Sequence, residues 1–576
     1  MEWSTACPDW EERIVAGSTL VPIAPLFPAK ADEGLGVFKS LQVTDLPRKP
    51  DGTWPTLGEC CDQRLLDLVA AIFGAEDPIS GKRLIREFLL LISKKNIKST
   101  LAAGIMVAAL IINWRDNAEL MILAPTLEVA NNSFGPAMGM VRADPELQII
   151  LKVIEHQRQI RHLDTGAVLS VVAADSDTAA GKKAGMVLVE ELWLFGKKPK
   201  SAAMLREATG GLASRPEGFV LYITTHSDEP PCGVYKTKLA YFRDVRDGVI
   251  HDPSSLAVLF EWPESLIEAE AYLDPDMFYL TNPMIGRSVT REWLASELAK
   301  EQSGEGEGLQ IFLAKHLNVE IGLRLRRDRW AGADYWLDNV ENGLSLAELL
   351  RRSEVVTVGI DGGGLGDLFG LAVVGRERGS ERWLCWTRAW GLPVVLERHK
   401  AVASRLQDFV VQGDLGLVDT TQEIVAAVAE LLVEIRESGL LPNENAIGVD
   451  PSDIGALIDG LNARGFRSHE VDPATGRMIR LGQIEPVRQG VALTGAIHTA
   501  EFKLHDGLLV HGGSEMMAWC VSNAKAVQKG NAVAIDKEVA GSAKIDPLIA
   551  LFCAVKLMEL GPVAGVARVE PEVMVL

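Results

Sequence analysis

Lys98, Ser99 and Thr100 stand between an apolar run of strand length and one of helical length, and Glu190 and Glu191 close a second apolar run, Met186 to Val189. A lysine, a hydroxyl and two carboxylates are the groups that handle a nucleoside triphosphate. The lysine meets β/γ-phosphate oxygens, the hydroxyl and the first carboxylate hold Mg²⁺, and the second carboxylate polarises the attacking water. Upstream of Lys98, Phe88 to Ile92 has the length of a buried strand, Ser93-Lys94-Lys95-Asn96-Ile97 is a polar loop, and Leu101 to Ile112 is rich in small apolar residues. Strand, loop and helix in that order aim backbone N–H groups and a helix N-terminus at phosphate. Lys95, Asn96, Lys98, Ser99, Thr100 and Glu190 are therefore the candidate nucleotide-binding set, with Lys98 and Glu191 catalytic and Ser99 and Glu190 on the metal. The pattern G-x-x-x-x-G-K-[ST] would have glycine at positions 92 and 97, where this chain has isoleucine. A β-branched residue resists positive φ, so Ile97 either avoids that region or carries strain.

A second set of acids lies far downstream. Val355 to Ile360 ends in Asp361 ahead of three glycines, Ala446 to Val449 ends in Asp450, and Asp546-Pro547 opens the apolar run LIALFCAVKLM. Carboxylates suit hard divalent ions, and two Mg²⁺ or Mn²⁺ about 4 Å apart activate water on one side of a phosphodiester and stabilise the leaving oxygen on the other. Taken singly, Asp361 also reads as a turn residue and Asp450 and Asp546 as helix caps before proline. Taken together, acids at the first strand, the fourth strand and a late helix follow the ribonuclease-H-like plan, with Asp367 as a spare acid nearby.

The elements that must position these groups can be read from periodicity. Cys61 to Phe73 is helical, with Gly74 as its stop; Gln63 on it reads either as an adenine contact or as a solvated helix residue. Glu119 to Pro125, Leu169 to Ala174, Met186 to Val189 and Phe219 to Ile223 alternate with helical stretches, Thr126 to Val153 among them, which predicts a largely parallel sheet covered by helices. Thr224-Thr225-His226 follows the fifth strand, where it is either a γ-phosphate sensor or an ordinary strand end. In the second half Val355 to Ile360, Leu368 to Val374 and Arg382 to Trp386 read as an antiparallel meander, followed by helices at Thr421 to Ser438 and about 453 to 463. The expected organisation is an arm over 1–60, a phosphate-loop ATPase domain with lid and linker over 61–335, and a nuclease domain over 353–576. The basic cluster Arg324, Arg326, Arg327 and Arg329 beside Trp330 reads either as a DNA-backbone contact or as a linker with docking tryptophans, and residues 303–308 as a flexible loop.

Composition bounds the rest. With 576 residues, 47% hydrophobic and 24% charged, the chain is a globular protein of several domains. Its 7 cysteines are scattered, with Cys60 and Cys61 adjacent and no C-x-x-C, which argues against a zinc site or disulfide framework and for a reducing compartment. Acids at Glu2, Asp9, Glu11 and Glu12 precede any apolar run, so a secretory signal is not expected, and no apolar stretch near the loop has the length to span a bilayer. A net charge of −20 counts against a nucleic-acid partner unless basic groups are clustered locally.

SKKNIKST after a buried strand, VLVEELW, YITTHSD and the later FYLTNPMIG with Asn282-Pro283 resemble the ATPase motor of the large terminase subunits of tailed bacteriophages. That family also places a Lys-Asn pair before its phosphate-binding lysine. IDGGGLGDLFGLAVVG, LVHGGSEMMAWCVSNA and KIDPLIALFCAV resemble the family's nuclease domain, and the likeness runs from about 60 to 560. The resemblance implies an N-terminal P-loop ATPase of the ASCE type and a C-terminal ribonuclease-H-like nuclease whose metals rest on Asp361, Asp450 and Asp546. His511 and Asn523 fall in the segment that bears the family's His and Asn. It further implies ATP with Mg²⁺ at the motor, and double-stranded DNA, a portal protein and a small terminase subunit as partners. A homo-oligomeric ring in the host cytoplasm, docked transiently on the prohead portal, and a trans-acting arginine or lysine, for which Lys182 and Lys183 are placed suggestively, belong to the same expectation. Competing readings are a helicase-like motor with an inert second domain and a non-catalytic DNA-binding scaffold.

Overall fold

The computed structural model describes residues 3–174, 184–198, 200–303, 308–321, 329–362, 364–450, 455–471, 478–530, 532–537 and 544–565. Lys182, Lys183, Arg324, Arg326, Arg327, Pro451 and most of the 303–308 loop lie outside them. The chain forms two compact units, Met1–Ile321 and Gly322–Leu576. Among the described residues no helix is long and apolar enough to cross a membrane.

The first unit is built on an eight-stranded sheet: β1 (Glu87–Leu91), β2 (Glu119–Ala124), β3 (Leu151–Ile154), β4 (Gln159–His162), β5 (Val168–Ala173), β6 (Met186–Glu190), β7 (Phe219–Thr224) and β8 (Ser255–Leu259), in the order β3-β4-β5-β2-β6-β7-β1-β8. The strands from β5 to β8 pair in parallel, as their near-continuous Leu, Val and Ile content requires for burial on both faces. β3 and β4 add an antiparallel edge. That edge departs from the helical reading of residues 126–153. The helix Leu127–Ala143 ends before Asp144, and the chain turns back through the short pair β3–β4, whose four-residue strands carry too little periodicity to be read. The helix Lys98–Ile111 is apolar on every side and buried from Thr100 to Leu110, as a helix enclosed in an α/β core must be.

The N-terminal segment is not the extended arm its composition suggests. Helices Trp10–Val15 and Pro28–Ser40 form there, and Ile14, Phe38, Leu41 and Leu57 are buried. Phe38 and Leu57 lie against Gly104 of the Lys98–Ile111 helix, where a Cβ would sit 2.4 Å from Leu57 Cδ1 and 2.9 Å from Phe38 Cε2. The apolar residues are too widely spaced along residues 1–60 to show a period, and Phe38 and Leu57 find their partner in the Lys98–Ile111 helix.

The second unit has a sheet of β9 (Ser353–Asp361), β10 (Phe369–Glu377), β11 (Trp383–Gly391), β12 (Leu415–Leu417), β13 (Ile447–Val449), β14 (Ile484–Pro486) and β15 (Leu509–His511). β9, β10 and β11 are the expected antiparallel meander, and β13 joins β9 in parallel. This is the ribonuclease-H-like order. The last helix, Asp546–Met558, crosses the β9–β10 face so closely that side chains are excluded beneath it. A Cβ on Gly359 would lie 1.9 Å from Ala550 O, and one on Gly370 2.5 Å from Pro547 N. Residues 329–352 belong to this unit rather than to a linker after the first: Trp330 and Trp336 are fully buried in its core with Phe552 and Leu548. Arg329 pairs with Asp334 and forms a bridge to Lys525, so it is a docking element.

Candidate active sites

In the first unit the parallel register brings the phosphate-type loop and the acidic pair to one end of the sheet. Leu91 pairs with Thr224 on β7, and Glu190 pairs with Ile223 on the other side of β7, so the segments leaving β1 and β6 emerge together at the strands' carboxyl ends. Lys98 Nζ lies 2.6 Å from Glu191 Oε1, and Ser99 Oγ donates to Glu190 Oε1 at 2.6 Å. Glu190 is completely buried, and burial pushes its carboxyl up to about 7 despite the bond from Ser99. Its other oxygen, Oε2, has the Ser133 hydroxyl beside it but no hydrogen-bond partner of good geometry among the described residues. A buried carboxylate oxygen with no donor, beside a serine hydroxyl, fits the donor set of a hard divalent ion. Burial alone would also raise Glu191, but the charge and hydrogen bond of Lys98 outweigh it and hold this carboxyl below its usual range. Its Oε2 accepts from the Trp193 indole at 2.7 Å.

The loop solves its missing glycines with strain. Lys95 (φ 68°) and Ile97 (φ 49°) are both left-handed, as is Glu191 (φ 54°) just past β6. A non-glycine residue there costs about 1–2 kcal/mol, so the neighbours must over-determine the shape. They do so through Asn96. Its Nδ2 donates to Ser93 O, Lys94 O and Asn282 Oδ1, while its Oδ1 accepts from Met284 N at 3.0 Å. Ser288 Oγ adds a bond to Lys95 O. The FYLTNPMIG segment is thus the brace of the loop, and the Asn96 side chain is a scaffold group with no capacity left for phosphate. Thr100 likewise gives its hydroxyl to Asp45 at 2.7 Å, tying the helix to the N-terminal segment. Gln63 is a solvated helix residue bonded to Asp67.

Thr224, Thr225 and His226 are buried behind Glu191. Thr224 Oγ1 accepts from Trp193 N, and His226 Nδ1 lies 3.1 Å from Tyr235 Oη. Potential ligand atoms of His226, Glu261 and Glu320 lie within 4.8 Å of one another, but Arg243 spans both carboxylates and Arg246 adds a second cation on Glu261 at 2.8 Å, so the two acids are already paired.

In the second unit Asp361 ends β9 opposite Gly370, and Asp450 follows Val449, which pairs with Ile360. Asp546 opens the helix whose first residues touch Gly370. Burial raises the thiol of Cys553, two turns along that helix, with the charges of Asp361 and Asp450 adding to the effect. The three aspartates share one end of the sheet, although among the described residues their ligand atoms do not draw within 4.8 Å of one another as a single-ion cluster would. Neighbours hold the site open: Gln489 Nε2 donates to Asp361 Oδ1, and Lys544 Nζ holds Asp367 at 2.6 Å, with His399 Nε2 3.2 Å away. Asn523 braces the approach to Asp546 by donating to Lys544 O. His511 is structural: it stacks on Trp336 at 3.9 Å, donates to Trp336 O, accepts from Gly513 N, and is held by burial down to about 4. Asp45 and Gln489 carry no sequence signal, because each meets its site across a gap in the chain that only folding closes, whereas Trp193 and Lys544 stand two residues from Glu191 and Asp546 inside VLVEELW and KIDPLIALFCAV.

The family model for the terminase large subunit, ATPase domain, matches residues 67–243. The protein YmfN of Escherichia coli (strain K12) is 20% identical over 357 residues, 60% of this chain and 72% of that protein. The crystal structure of the HK97 bacteriophage large terminase aligns with 91% of this chain and 99% of its own at 17% identity and a TM-score of 0.44. The structure of a large terminase from a thermophilic bacteriophage in complex with ADP aligns with 83% and 95% at 11% identity and a TM-score of 0.28.

Proposed function

We propose, for a chain whose residues 67–243 match the family model for the terminase large subunit ATPase domain, that ATP hydrolysis in the first unit drives double-stranded DNA into a phage prohead and that the second unit cuts the concatemer. The observation that carries the motor reading is the paired contact of Lys98 with Glu191 and of Ser99 with Glu190 at one strand-end site. In this reading Lys98 exchanges Glu191 for the β/γ-phosphates, leaving that carboxylate to orient water. Backbone N–H groups from Lys95 to Thr100 cradle the phosphates. Ser99 and Glu190 hold Mg²⁺, which supplies charge neutralisation between the phosphates. Asn96 and Thr100 act indirectly, by fixing the loop and the helix start.

For the second unit the convergence of Asp361, Asp450 and Asp546 at the end of β9, β13 and the last helix supports hydrolysis of a phosphodiester. Three carboxylates of this kind would suit two Mg²⁺ or Mn²⁺ ions, which would activate water on one side of the phosphodiester and stabilise the leaving oxygen on the other. Asp361, Asp450 and Asp546 would hold the ions. A chain of net charge −20 has little general affinity for DNA, so a small subunit for recognition and a portal-docked ring of copies, completed by a basic residue from a neighbour, fit the same reading. The test is ATP turnover by the full chain with DNA and partner proteins, together with Mn²⁺-dependent nicking of supercoiled plasmid. Lys98→Ala and Glu191→Gln abolish the first and Asp361→Asn the second. Parent protein inactive in both assays would sink the assignment.

A further inference from the structure

Lys315 is the buried cation that this mechanism leaves unused. It sits on the helix Gly308–His316, more than one hundred residues beyond the acidic pair, and is only 3% exposed. Its ammonium lies 3.0 Å from the centre of the Trp193 ring, and its Nζ donates to His226 O at 2.8 Å. Trp193 in turn gives its indole N–H to Glu191 Oε2, and its backbone N–H is held by Thr224 Oγ1. The carbonyl of Lys315 accepts the N–H of Lys94 in the phosphate loop at 2.7 Å. One residue therefore grips the loop through its backbone and the face of Glu191's indole partner through its side chain.

A desolvated lysine is costly unless its charge has work to do, and a simple core position would be filled by leucine or methionine. Burial is the chief influence on Lys315 and lowers it to about 7; Asp228 and Glu191 favour its charged form, and Lys94 and Lys98 oppose it. Glu191 feels the Lys315 charge in return. A cation over an indole is attracted by the negative face of the ring, and it polarises the ring's N–H toward the carboxylate.

We propose that Lys315 is a positioning residue for ATP hydrolysis: through the Trp193 ring it fixes the orientation of Glu191, so that the helix 308–316 sets whether that carboxylate is aligned for water. The inference rests on the ATPase reading of the first unit. It places Lys315 away from the phosphates, so its loss acts on turnover and leaves nucleotide affinity alone.

The experiment compares the full chain with Lys315→Met, which keeps the length and the ring contact without charge, and with Lys315→Arg, which restores charge on the ring face. ATP turnover with DNA is measured alongside ADP binding by calorimetry and a thermal melt of each variant. Lys315→Met lowers kcat about tenfold with KM changed less than twofold, the size expected from a misaligned rather than a missing group, and Lys315→Arg recovers most of it. Parental kcat in Lys315→Met, a change confined to KM or ADP affinity, or an arginine variant as impaired as the methionine one overturns the proposal. A parent that hydrolyses ATP while Lys98→Ala does not keeps the ATPase reading intact in all of those cases.

Discussion

Withdrawing magnesium and raising the pH destabilises the first unit through one carboxyl group. Glu190 is wholly buried and its carboxyl is raised from 4.5 to about 7, chiefly by burial. In the unfolded chain it returns to the ordinary glutamate value of about 4.3. Between these values the unfolded chain releases a proton that the folded one keeps. The contribution is therefore full below about pH 4.5 and is lost as pH climbs through about 7. At about 1.4 kcal/mol per pH unit of difference, the loss between pH 5 and pH 8 is about 2–3 kcal/mol. For a unit of about 320 residues, unfolding with about 2 cal/mol/K per residue, that is roughly 4 °C in Tm. Lys315, which burial lowers to about 7, works in the opposite direction, because its neutral folded form gains stability as pH rises. The informative quantity is thus the difference between parent and Glu190→Gln, melted in chelator at pH 5, 6, 7 and 8. The variant gains on the parent progressively, by roughly 4 °C at pH 8 relative to pH 5. Adding Mg²⁺ with ADP reverses the trend in the parent, since the ion binds the ionised carboxylate. Parallel melting curves for parent and variant would refute the reasoning and remove Glu190 from the metal site.

Four further outcomes follow from particular contacts. Ile97→Gly relieves a left-handed β-branched residue of about 1–2 kcal/mol of strain but adds unfolded-chain entropy of similar size, so melting moves little and ATP turnover stays within about threefold of parent. Asn282→Ala strips Asn96 Nδ2 of its side-chain acceptor; the loop loses about 1–3 kcal/mol of local order, and KM for ATP rises in steady-state assays with kcat less affected. Gly359→Ala drives a methyl group into Ala550 O and costs the second unit about 3 kcal/mol or more, read as a lower denaturant midpoint for that unit's transition while ATP turnover persists. Asp361→Asn abolishes plasmid nicking in Mn²⁺ by at least about a hundredfold with ATP turnover unchanged, which separates the two chemistries within one chain.

The acids and the lysine were legible because catalysis requires their types at strand ends, and strand ends are marked by where an apolar run stops. Phe88 to Leu91 and Met186 to Val189 have no alternative to burial, so Lys98 and Glu190 had to emerge at an edge. The meander from β9 to β11 was equally plain, since its turns carry glycine and charge. The short antiparallel edge β3–β4 and the packing of residues 1–60 were not, because their apolar groups are too few to show a period and are buried by partners distant in the chain.

The parallel strands around Lys98 and Glu190, the β9–β11 meander and the candidate groups at their ends were determined by sequence alone, through hydrophobic runs and the groups that end them. Tertiary structure decided the division of labour among those groups. It turned Asn96 toward Asn282, made His511 a stacking residue on Trp336, and brought Lys315 over the ring of Trp193. The reason is the range of the forces involved: periodicity is written by neighbours within a few positions, whereas a hydrogen bond or a cation over a ring acts only across a few ångströms of space, between residues that the fold alone makes adjacent.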